Sequence, residues 1–220
     1  MRVTAIKLAR VIALFDSDEL IPYGGVSTTK VAAEIAKKFE FQKFPHAGEE
    51  FDNKKGIEFL DGIWESTPVT KLTIYNDGII IDTRHSTSRS LQILTESLHW
   101  AKMELGLHFE DDMLRRTRYL SSFSFFSEVP ILKHSQAINN ASMTMAELME
   151  EITGQSREYE GTEIDLDFDH SSNRDALAPF TIQRLGVEPF KSNRYYTQAP
   201  VPTEALIALV EQFEADVLAF

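Results

Sequence analysis

Lys71-Leu-Thr-Ile-Tyr75, Asn76-Asp77-Gly78, Ile79-Ile-Ile-Asp-Thr-Arg84: two runs rich in β-branched and aromatic residues flank a short polar triplet. Asn, Asp and Gly enter left-handed backbone angles at low steric cost, so the triplet reads as the tight turn of a β-hairpin. Beyond the hairpin, Ser88 or Ser90 is expected to open a helix in which Leu91, Leu94, Leu98, Ala101 and Leu105 recur in steps of three and four before Gly106. That stripe needs an apolar surface, and the hairpin sheet is the nearest one.

Upstream, Gly56-Ile-Glu-Phe-Leu60 carries a strand pattern that ends at Asp61-Gly62, and the charged stretch 42–56 reads as a mobile loop. Val3 to Phe15 is read as a strand. After Pro22-Tyr23-Gly24-Gly25, Ser27 or Thr28 caps a helix that sets Val31, Ile35 and Phe39 on one stripe.

Downstream, Arg115 to Val129, with Tyr119, Phe123 and Phe125, is expected to form a long half-buried strand. Thr144 and Glu147 have capping-box spacing, so a third helix is placed from Ser142 or Thr144, burying Met145, Leu148, Met149 and Ile152 before Gly154. Two strands are expected at Thr162 to Asp169 and Phe180 to Leu185. A last helix begins at Thr203 and carries Leu206, Leu209, Val210, Phe213 and Val217 on one side. Without regular βαβ alternation the class is α+β: a mixed, mainly antiparallel sheet packed by about four helices, in a single domain over 1–220.

The 220 residues are 43% hydrophobic and 25% charged, an ordinary globular composition. A net charge of −12 opposes phosphate backbones and anionic lipid, so nucleic acid is not an expected partner. With no cysteine, disulfides, thiolate nucleophiles and Cys-based metal sites are excluded. No run approaches the ~20 apolar residues of a membrane span, and Lys7 and Arg10 interrupt the only leader-like stretch. No membrane insertion is expected, and a soluble, cytoplasmic protein is the default.

The most distinctive chemistry lies in Glu163-Ile-Asp-Leu-Asp-Phe-Asp-His170, where strand alternation would place Glu163, Asp165, Asp167 and Asp169 on one face. Like charges some 7 Å apart need screening by water, a basic side chain or a cation. Asp165, Asp167, Asp169 and His170 are thus a candidate set for Mg²⁺ or Mn²⁺, set against a plain charged edge strand. An EF-hand is excluded, because His170 and Ala176 stand where Gly and an acidic residue belong.

Arg84, Ser88 and Arg89 cluster before a helix start and form a candidate small-anion site. The chain has no HExxH zinc motif, no phosphate loop and no G-x-S-x-G elbow. Phe126, Tyr195 and Tyr196 are candidate interface rings, the tyrosines lying in a Pro-flanked stretch. The expected function is therefore a non-enzymatic interaction or assembly protein, without cofactor, that binds a protein partner or itself. The alternative is a divalent-metal-dependent hydrolase of phosphate esters, working through the acidic strand.

Overall fold

The computed structural model describes residues 1–46, 48–133, 135–169, 177–186 and 188–219. Among them the elements run β1 (Arg2–Leu14), α1 (Thr28–Lys38), β2 (Ile57–Trp64), β3 (Thr67–Tyr75), β4 (Gly78–Thr83), α2 (Thr87–Leu105), β5 (Thr117–Phe126), α3 (Gln136–Thr153), β6 (Glu163–Leu166), β7 (Phe180–Arg184), β8 (Arg194–Ala199) and α4 (Thr203–Ala219). The fold is α+β, as expected: four helices and an eight-stranded antiparallel sheet in the order β2-β3-β4-β1-β5-β8-β7-β6. The chain divides into two compact units. A hairpin unit comprises Ile6–Ser121 with Pro200–Thr203, and a terminal unit comprises Met1–Ala5, Ser122–Ala199 and the chain from Glu204 onward.

In the hairpin unit Tyr75 pairs with Gly78 across Asn76-Asp77, and Leu72 faces Ile81 farther along the ladder. Gly78 also pairs with Leu14 of β1, at φ 153°; a Cβ there would stand 2.1 Å from the Ala13 carbonyl oxygen. Glycine is therefore required by the close approach of two backbones as well as by the turn. A second hairpin, absent from the sequence reading, joins β2 to β3: Trp64 pairs with Thr67 across Glu65-Ser66, whose φ angles are 43° and 68°. β2 accordingly runs through Asp61-Gly62 instead of ending there. The turn escapes detection because its left-handed positions are held by Glu and Ser, with no Gly or Asn to mark them.

α2 packs on β4, burying Ile93, Leu94, Leu98 and Ala101, and ends at Gly106 in the left-handed region. Its cap is Ser86, whose Oγ accepts from the Arg89 N–H at 3.1 Å; neither Ser88 nor Ser90 opens the helix. Ser90 is buried instead, donating to the Ala9 carbonyl at 2.8 Å and lying 2.8 Å from the Thr83 hydroxyl. Ser86→Ala is expected to lower unfolding free energy by about 1 kcal/mol in a urea titration, the usual cost of an N-cap. Ser27 caps α1 through the Lys30 N–H at 3.4 Å, and Ile35 and Phe39 enter the core beside Phe59, Trp64 and Leu72.

The terminal unit has its own core around Phe123, Phe125, Ile182, Tyr195, Leu206 and Val210. β8 is the strand that the sequence reading missed. Its burial alternates, with Tyr195, Thr197 and Ala199 inside, and it pairs Thr197 with Ile182 and Tyr195 with Arg184 of β7. α4 buries Leu206 and Val210, whereas Leu209 of the expected stripe is exposed; Glu214 is buried and accepts from the Ser127 hydroxyl at 2.5 Å. Among the described residues, no helix is long and apolar enough to cross a membrane.

Candidate interaction face

Ser135 opens α3, accepting from the Ile138 N–H at 3.5 Å, and Gly154 at φ 69° closes it. The helix therefore starts two turns before Thr144, so the Thr144–Glu147 spacing is an internal pair and not a cap. Met145, Leu148, Met149 and Ile152 were expected inside, yet no residue of α3 is buried. Met145 is 42%, Leu148 48% and Ile152 76% exposed.

The side turned toward the unit carries Asn139, Ser142, Ala146 and Met149, all half-buried, and Asn139 donates to the Lys133 carbonyl at 3.0 Å. The helix is thus seated by its smaller, more polar edge. Its exposed stripe, Ile138, Ala141, Met145, Leu148 and Ile152, recurs in steps of three, four, three and four, the a/d spacing of helices that pack along their length. The helix of eighteen residues is about 27 Å long, and the seam from Ile138 to Ile152 covers about 21 Å of it. Glu147, Glu150 and Glu151 all fall in the C-terminal half, and the helix carries no Lys or Arg.

Among the described residues, the other candidates do not assemble into a second site of comparable form. β6 pairs with β7 only from Glu163, opposite Gln183, to Leu166, opposite Phe180, so the ladder ends before Asp167 and Asp169. Strand alternation therefore places two carboxylates, not four, on one face. Asp165 accepts from the Thr181 hydroxyl at 2.6 Å, and the Asp167 carboxylate accepts from the Phe168 N–H at 2.9 Å. His170 lies outside the described residues. Among those described, no group of three or more His, Asp or Glu side chains is placed to hold a metal ion.

Arg84 and Ser88 are exposed before and within the first turn of α2. Arg89 turns to the β2–β3 hairpin, its Nε donating to the Thr67 hydroxyl at 3.1 Å and its Nη2 to Glu65 at 3.3 Å. Phe126 is half-buried, with the Arg2 guanidinium 5.8 Å from its ring centre. Tyr195 is corrected from an exposed ring to a core ring: it is fully buried, 5.5 Å from Phe125, and burial raises its phenol above the ordinary value while Arg184 acts in the opposite sense. Tyr196 is half-buried and donates to Gln198 at 3.0 Å. Strand alternation separates the two tyrosines, and the sequence cue for it was the Tyr195, Thr197, Ala199 period.

No protein-family model matches the sequence, and a search of the curated proteins finds no match.

Proposed function

We propose that the protein is a non-enzymatic assembly protein that associates with a second copy of itself through α3. The observation that supports this reading is the exposed a/d seam from Ile138 to Ile152, an apolar stripe of four turns on a helix with no buried residue. Charge placement favours an antiparallel arrangement. In a parallel pair the three glutamates of each helix lie beside their counterparts. In an antiparallel pair Glu150 and Glu151 lie beside the uncharged N-terminal turn of the other helix, where the helix dipole favours negative charge. The antiparallel register also sets Ile138 against the partner's Leu148 and Ala141 against the partner's Met145, so that a small residue meets a large one. Such a contact is self-complementary and closes on two copies.

Sedimentation velocity of the full chain tests the proposal. The expected result is a dimer that becomes a monomer in the Met145→Glu/Leu148→Glu variant, with the far-UV circular dichroism unchanged because neither side chain is buried within one chain, and with a melting temperature that no longer rises with concentration. A wild-type monomer at every soluble concentration, or a variant as dimeric as wild type, overturns it. Because the chain has no cysteine, Ala141→Cys and Met145→Cys chains can be mixed and oxidised. The antiparallel register gives the mixed disulfide; homodisulfides alone overturn that register.

A further inference from the structure

Within the hairpin unit, a cavity of about 270 Å³ lies between α1, α2 and the sheet. Val31 and Ile35 of α1, Leu94 and Leu98 of α2, and Leu72 and Ile79 of the sheet supply much of its wall. Four of these, Leu72, Ile79, Leu94 and Leu98, are at most 5% exposed, so the wall is fixed by the same packing that forms the core. Protein interiors are otherwise packed to crystal density, and an apolar cavity of ~150 Å³ already takes up a benzene-sized molecule.

The mouth carries the second observation. Asp18, Ile21 and Leu107 line both the cavity and an open basin of about 680 Å³ beside it. That basin is also lined by Glu19, Glu110 and Asp112, and by His108, whose Nε2 lies 4.0 Å from the Glu110 carboxylate. Neither lining includes a Lys or Arg among the described residues; Lys102 reaches Glu110 from outside the basin, at 2.9 Å. A carboxylate head at the mouth would meet like charge, whereas an ammonium would meet Asp18 where apolar wall gives way to acidic basin.

We infer that this cavity is a binding site for a small amphiphilic amine, its apolar body between α1 and α2 and its ammonium at Asp18. No part of α3 is involved, so the inference is independent of the self-association proposed above.

The test is titration of the full chain with octylamine, octanol and octanoate, followed by tryptophan fluorescence, since Trp100 lines the cavity, and by thermal melting. The expected result is saturable octylamine binding that raises the melting temperature, with octanoate at least tenfold weaker. Asp18→Asn is expected to bring octylamine down to the affinity of octanol. Ala101→Leu and Ser97→Val fill the cavity from two positions on α2, and whichever variants fold are expected to lose octylamine binding. Absence of saturable octylamine binding to wild type overturns the site. So does binding that is unchanged in a folded filling variant. Octanoate binding as tightly as octylamine overturns the assignment of the amine.

Discussion

Gly78→Ala is expected to destabilise the chain by about 3 kcal/mol or more, the upper range for forcing extra atoms into a packed interior. The position leaves little room for relief. A Cβ at 2.1 Å from the Ala13 carbonyl oxygen meets backbone, which cannot rotate away as a flexible side chain would. The added methyl must therefore separate β1 from β4 at the point where Leu14 pairs with Gly78, and it does so at a φ of 153° that L-residues rarely adopt. Chemical denaturation of the purified variant gives the number. Asp77→Ala, one residue earlier and in the exposed turn, is the control, and its loss should stay below a third of that for Gly78→Ala. Equal losses at the two positions would show that turn propensity, not backbone clearance, governs the site.

Truncation of Arg184 is expected to cost about 3–5 kcal/mol, the range for breaking a buried ion pair and leaving one partner charged. Its guanidinium donates to Glu160 at 2.6 Å with both side chains no more than 4% exposed, and to the Phe190 carbonyl at 2.6 Å. The rings of Phe190 and Tyr195 lie 5.0 and 5.1 Å from its central carbon. Arg184→Leu leaves the Glu160 carboxylate with Lys133 as its remaining cation, held by a side chain that is itself 39% exposed. The double variant Glu160→Leu/Arg184→Leu is expected to recover at least half of the loss, because it removes the stranded charge along with its partner. Urea denaturation of the two single variants and the double variant closes the cycle. A double variant as unstable as Arg184→Leu would place the cost in the lost ring packing and in the lost bond to the Phe190 carbonyl, which would keep only the Asn193 N–H at 3.3 Å.

The elements legible in the sequence were those whose signals are local. The Asn76-Asp77-Gly78 turn, the Gly106 and Gly154 helix ends and the Ser27 cap each follow from short-range backbone chemistry, and all are present. The β2–β3 hairpin was hidden because Glu65 and Ser66 take left-handed angles that no propensity announces. β8 was hidden because paired tyrosines between prolines suggest an exposed segment, whereas only the pairing with β7 decides that Tyr195 points inward. α3 shows the limit of periodicity most clearly. A three–four stripe predicts that a helix has an apolar face, and here it does; it carries no information on whether the chain itself covers that face. The acidic segment failed differently: alternation over eight residues presumed a ladder of that length, and β7 supplies partners for only four.

Those four residues have a further consequence. β6 stands at one end of the strand order, and its exposed positions include Glu163 and Asp165. At the other end β2 exposes Glu58 and Asp61, and Lys43 pairs back onto Leu60 across its middle. Short length, charge and a covering segment are the means by which sheet borders resist the addition of foreign strands. Both borders are guarded in this way among the described residues, so fibrous growth finds no ready template there, and concentrated solutions should stay clear of cross-β deposits while the fold persists.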